Sequence, residues 1–347
     1  MNTEQTEKWL SAHIYYNEPW EHLLHNSLLP FVNSAVKMGI ISQYFFVRYW
    51  DRGPHLRLRL KGDAETLTTI LQPHVEEHFQ NFMDTYPSTR IDPSYPIDFP
   101  ATYKWYPNNS IVFSSYIPET ERYAGGIGML LSEEQFYLSS QLVLQLIKTH
   151  KDDWTYDDAM GRAIQLHLTF AHAMGLSLEE AIDFFHFFYK NWLNQKEETN
   201  QQSHSRFKNS GSEEETIATF ERAYNFQKEI LESHIAQLWH SLENDYADVP
   251  EDTKEWHRQN KAIQLKIQQA NANQQLNKRT AKYRYAIAAP NPLAQTLWSL
   301  YADFVHLLNN RLGIHNRDES FIAYILVQSL SAMPSGKSPY GVGLRSV

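Results

Sequence analysis

The chain has no cysteine in its 347 residues. That excludes disulfides, a thiol nucleophile and cysteine-ligated metal. Net positive charge is also missing: 31 Lys and Arg stand against 40 Asp and Glu, a formal charge of −9. A general nucleic-acid binder draws most of its affinity from neutralising phosphates, so direct nucleic-acid binding is not expected. No apolar run approaches the ~18 residues of a membrane span. The first ten residues, MNTEQTEKWL, are polar and acidic and do not read as a signal peptide. A cytoplasmic protein is the expectation. GxGxxG, P-loop and GxSxG patterns are absent, which disfavours dinucleotide, nucleoside-triphosphate and serine-hydrolase chemistry. His167 and His172 are five apart, not the i, i+4 pair of a helical zinc site. No metal and no organic cofactor is expected.

What is present is a 42% hydrophobic, 14% aromatic composition able to build a large core. Residues 9–16 alternate as a strand. Residues 19–37 carry helical spacing, with Pro30 a kink. Strands at 43–50 and 55–60 flank Asp51-Arg52-Gly53-Pro54, a hairpin signal. A helix over 64–84, a proline-rich loop and a strand over 110–117 follow. This order is the ferredoxin-like βαββαβ unit. The third strand should then be central, with Leu56, Leu58 and Leu60 under the helices and His55, Arg57 and Arg59 on the uncovered face.

Beyond residue 129 the pattern is helical. Ser132 to Gln135 read as a capping box opening a helix, stapled by Leu131 and Phe136. Further helices are expected from Thr155, from Ser177, over 215–245 and 252–275, from Pro292 to Gly313, and over 319–332. The polar stretch 196–214 reads as a mobile loop. The expected fold is α+β. A sheet-containing part (1–128) and a helical part (129–347) form one integrated domain, with the site between them.

Three stretches can carry chemistry. On the 55–60 strand, same-face neighbours lie ~6.5–7 Å apart, a spacing suited to carboxylates held by guanidiniums. The plain alternative is a solvated sheet face. The second stretch, 116–129, offers Arg122 and Tyr123, with Gly125-Gly126 permitting close backbone approach. The third, "SLYADFVHLLNNRLGI", aligns Ser299, Asp303, His306 and Asn310 on one helical stripe. Such a stripe is usually solvent-facing, but a histidine beside an aspartate can be an oriented base.

Together these stretches resemble the C-terminal domain of class I lanthipeptide dehydratases, which also occurs as free-standing thiopeptide-type biosynthesis proteins. The matching segments are "LLHNSLLPFV", "FFVRYWDRGPHLRLR", "YIPETERYAGG" and "HLLNNRLGI". Ala124 departs from the usual glycine, and Leu308 from a usual second histidine. The resemblance implies a lyase that eliminates glutamate from glutamylated Ser or Thr of a precursor peptide, leaving dehydroalanine or dehydrobutyrine. Arg57, Arg59, Arg122 and His306 match its elimination site, and His55, Asp303, Asn310 and Tyr123 are expected to bind substrate. Implied partners are the glutamylated precursor peptide and a separate tRNA-dependent glutamylation enzyme; a homodimer is one assembly this allows. Two other functions compete: a pyridine-forming [4+2] cyclase of the same fold family, and a non-catalytic subunit that escorts the precursor, for which an exposed sheet edge would serve.

Overall fold

The computed structural model describes residues 7–17, 19–150, 153–193, 212–244, 246, 248–283, 285, 289 and 292–334. Most of the stretch expected as a mobile loop, namely residues 196–211, lies outside them. The chain forms two compact units. One comprises Met1–Ala159, Leu265–Arg284 and Ser299–Ile314; the other comprises Met160–Gln264, Tyr285–Trp298 and His315–Val347.

The first unit is built on a four-stranded antiparallel sheet: β1 (Glu7–Tyr15), β2 (Gln43–Tyr49), β3 (His55–Asp63) and β4 (Ser110–Phe113), in the order β2-β3-β1-β4. β3 is interior, as the alternation of its residues required. Leu56, Leu58 and Leu60 are fully buried on one face, together with Ile14 and Phe46. The register pairs Arg59 with Phe45 and Ser11, and Arg57 with Val47 and His13, on the other face.

The leucine face is covered by helical segments that each contain a π-turn. Trp20–Leu23, the π-turn Leu24–Leu28 and Leu29–Lys37 run on without interruption; so do Ala64–Thr66, Leu67–Leu71 and Gln72–Thr85. Pro30 and Pro73 each follow a π-turn directly. Proline has no N–H to donate four residues back, and one wider turn absorbs that loss. Pro30, where the sequence suggested a kink, thus coincides with a change of helical register.

Two further expectations are corrected. β4 ends at Phe113, not at residue 117, and the chain then runs irregularly along the site. The helix expected to begin at Ser132 begins at Gly125 and runs to His150. Ser132 is interior to it and returns its hydroxyl to the Gly128 carbonyl at 2.7 Å. The true start is a tight turn with Ala124 and Gly125 at φ +59° and +93°. A Cβ on Gly128 would meet the Tyr123 carbonyl at 2.0 Å, so that position tolerates only glycine. Gly126, by contrast, faces open space.

The edge of β2 is closed by side chains. Ser140 Oγ accepts from Phe46 N–H at 3.3 Å. The Asn310 amide accepts from Arg48 N–H at 2.9 Å and donates to Arg48 C=O at 2.8 Å. Asn310 therefore acts as one residue of a neighbouring strand, borne on the helix Pro292–Leu312.

The second unit is helical. Leu178–Leu193 and Asn316–Ser331 pack together, the latter also on Glu213–Glu243. Phe188 stacks on Trp192 at 4.2 Å, and Phe184 meets Trp298 at 5.9 Å. Ser177 with Glu180 and Ser212 with Glu215 form reciprocal caps, fixing the helix starts near where the sequence put them.

Leu58→Ala should cost about 3 kcal/mol, because it empties a fully buried site on the central strand. Ile97→Ala, at a fully exposed site, should cost under about 0.5 kcal/mol. Ala124→Gly should raise stability by about 1 kcal/mol by relieving a left-handed alanine. Urea midpoints of the three variants check all three values.

Candidate functional site

A cavity of about 370 Å³ opens on the arginine face of the sheet, wholly within the first unit. Arg57, Arg59, Arg122 and His306 all line it, with His13, Tyr49, Tyr116, Tyr123 and Asn310. Five elements deliver them: β1, β2, β3, the irregular chain after β4, and the Pro292–Leu312 helix. The arginine face is therefore not the open surface expected. His55 is 1% exposed and Arg59 8%. Aromatic side chains close around them: Trp9, Phe45 and Tyr116 are in mutual edge contact, and Phe45 also meets Phe136.

The cations differ in environment. The Arg57 guanidinium lies 3.4 Å from the Tyr49 ring centre and donates from Nε to His55 Nε2 at 3.2 Å. Its nearest carboxylate is the exposed Asp51, at 3.9 Å. Arg59 has no carboxylate partner among the described residues. It reaches the Leu58 carbonyl and His13 Nε2, both at 3.4 Å. Burial, then the neighbouring Arg57 charge, pulls its pKa down to about 10, which leaves it cationic at neutral pH. A guanidinium removed from water without an acid is costly, and an arriving anion relieves that cost.

Arg122 is held differently. It donates to both Asp303 oxygens, at 3.3 and 3.0 Å, and lies 3.7 Å from Glu119. Arg279 donates to the same Asp303 carboxylate and to the Ser299 carbonyl. Asp303 is fully buried, and Ser299 is 1% exposed. The polar stripe of this helix is thus internal, and Asp303 braces both arginines there. Arg279 is not among the sequence candidates, since it stands between the expected helices and carries no periodicity.

His55 sits beneath the cavity wall. Its Nδ1–H donates to the Gly53 carbonyl at 2.8 Å, leaving Nε2 to accept from Arg57. It stacks with His13 at 5.0 Å and tilts against Tyr15 at 4.5 Å. It props the Arg57 guanidinium and is not itself among the lining residues. Asn310 lines the cavity, but its amide is engaged on β2. Tyr123 is buried against Phe136, and burial raises its phenol well above the ordinary range. Tyr116 donates to the buried Glu133 at 2.9 Å. Glu119 is the single carboxylate among the lining residues. Sequence reading passed over it, although "PETER" places it three residues from Arg122, one helical turn's separation.

The arrangement can hold a dianion or a carboxylate ester against two guanidiniums, with a third braced by Asp303. An imidazole is present to move a proton. Among the described residues no cluster of three or more His, Asp or Glu could hold a metal ion.

Burial, then the charge of Arg59, depresses His13 to about 3; burial depresses His55 to about 4, from an ordinary 6.5. Unfolded, both imidazoles take up protons near 6.5; folded, they stay neutral until far lower pH. The unfolded state thus binds more protons between pH 6.5 and 4, and stability must fall as pH falls through that window. Chemical denaturation from pH 7 to 5 should show this slope, and His13→Gln should flatten it.

A family profile described as "Lantibiotic biosynthesis dehydratase C-term" matches residues 9–330. The subtilin biosynthesis protein SpaB of Bacillus subtilis is 26% identical over 180 residues, covering 51% of this chain and 15% of SpaB. The match therefore spans about one-seventh of that relative's length. Among solved structures, the pyridine synthase TbtD from thiomuracin biosynthesis superposes with a TM-score of 0.70 at 16% identity, over 94% of this chain and 98% of TbtD. The tRNA-dependent lantibiotic dehydratase MibB from Microbispora sp. 107891 does so with 0.56 at 16% identity, over 93% of this chain and 28% of MibB. These two likenesses establish a shared fold. With a family match over nearly its whole length, the chain belongs to the lantibiotic biosynthesis dehydratase C-terminal family.

Proposed function

We propose that the protein is a lyase that eliminates glutamate from glutamylated Ser or Thr of a precursor peptide, leaving dehydroalanine or dehydrobutyrine. The observation that carries this reading is the convergence of Arg57, Arg59, Arg122 and His306 on one cavity. His306 removes the Cα proton. The electrons form the Cα–Cβ double bond, the Cβ–O bond breaks, and glutamate departs as a carboxylate. Both the enolate and the leaving group are negative, and preorganised cations lower that barrier. Arg59 is the cation most in need of an anion. Arg57, on the same strand face, takes the second carboxylate of glutamate. Glu119 accepts the ammonium group, which the arginines would otherwise repel. A carboxylate leaves readily, so the chemistry needs no metal or cofactor.

The substrate is supplied by a separate enzyme that transfers glutamate from its tRNA, which places the reaction in the cytoplasm. MibB is a tRNA-dependent dehydratase, and its fold likeness is in keeping with this division. The element order, with β3 interior and β4 beyond β1, supports reading the sheet as a ferredoxin-like split unit.

The test is incubation with a glutamylated precursor peptide, followed by mass spectrometry. Loss of glutamic acid is expected. Unchanged peptide that binds tightly would favour an escort, and ring closure on a pre-dehydrated peptide a cyclase. Arg59→Ala and His306→Ala should each lower kcat at least about a hundredfold, so that glutamylated peptide accumulates. His306→Ala should leave KM within about threefold. Full rate in His306→Ala removes it as the base.

A further inference from the structure

The two edges of the sheet are treated differently. On β2 the outward backbone groups of Phe46 and Arg48 are taken by Ser140 and Asn310. On β4 the register pairs Val112 with His13 and Ser110 with Tyr15, and Ser114 N–H donates to Ser11 C=O. In an antiparallel ladder, alternate residues bond inward. Ser110, Val112 and Ser114 therefore face β1, and the N–H and C=O of Ile111 and Phe113 point the other way. Among the described residues no other strand pairs with β4, and no backbone or side-chain group bonds these four.

An open edge of this composition is unusual. Proteins blunt exposed edges with lysine, proline or a cover. β4 reads Ser-Ile-Val-Phe, with neither residue. Its backbone leads straight to the cavity: the chain passes from Phe113 into Ser114, Ser115 and Tyr116, all of which line it. Ser114 and Ser115 are exposed along this path.

We infer that the free edge of β4 captures an extended segment of the peptide substrate as a fifth strand, through the outward backbone groups of Ile111 and Phe113. The nature of the occupant rests on the lyase reading above. Backbone pairing ignores side-chain identity, which suits a substrate modified at several positions. A strand so added presents every second side chain to the arginine face, the face that carries Val112 and Ser114.

The test uses two synthetic probes. One is a ten-residue Ala-rich peptide with a central glutamylated serine; the other is the same glutamylserine capped as a single residue. Binding of the peptide should slow amide hydrogen exchange at Ile111 and Phe113 at least tenfold, while the capped residue should not. Ile111→Pro or Phe113→Pro removes an outward donor and spares the inward ladder. Each should lower the ratio of kcat/KM for peptide over capped residue about tenfold. If circular dichroism shows either variant unfolded, N-methylation of alternate peptide amides replaces it on the wild-type protein, with the same loss expected. A peptide that fails to bind, or binds with both amides exchanging as before, overturns the inference. Should neither probe lose glutamate, the lyase reading fails, and exchange alone decides the edge.

Discussion

The site depends on a guanidinium that is out of water without an acid beside it. Arg59 is nearly buried, flanked by Arg57, and meets a carbonyl and a neutral imidazole at 3.4 Å and the Tyr116 ring at 5.6 Å. Such a group is an unpaid debt in the folded state, tolerated because the rest of the unit is well packed. The three fully buried leucines on the opposite face of β3 supply part of that packing. Strand alternation thus does two things with one segment: it drives the sheet together on one side and displays charge on the other. The neutral state of His13 and His55 follows from the same positive field and from burial. Their unprotonated nitrogens are what Arg57 and Arg59 lean on.

The remaining polar groups act mainly as braces. Asp303 gathers Arg122 and Arg279 from distant segments into one buried cluster, so that Arg122 reaches the cavity with a fixed bearing. Asn310 ties the helix bearing His306 to the edge of β2. The turn at Ala124 and Gly125, stabilised by Asn277 N–H donating to the Ala124 carbonyl at 2.9 Å, redirects the chain from the cavity wall into the Gly125–His150 helix. Alanine holds a left-handed conformation there, at some cost in strain.

Much of this was legible from residue order. The strand alternation of His55 to Leu60, the hairpin at Asp51-Arg52-Gly53-Pro54 and the Ser177 helix start are local signals, and local physics wrote them. What stayed hidden was long-range. Ser132 carries a capping pattern, yet the turn at Ala124 had already begun the helix, so tertiary context overrode it. The stripe of Ser299, Asp303 and His306 looked solvated because one helix cannot reveal what packs on it. Arg279 stands in a stretch without apolar periodicity; Asp303 and the Ser299 carbonyl, 24 and 20 residues away, give it a place. Glu119 was overlooked because a lone acid in a loop carries no periodicity.

Asn310 and His306 are four residues apart, one turn of the same helix. Because the amide of one is clasped twice by the main chain of β2, the helix cannot roll about its axis without breaking both links. The imidazole rides on that clasp: its backbone is held against the pleat, and rotation about its own side-chain bonds is the motion that remains.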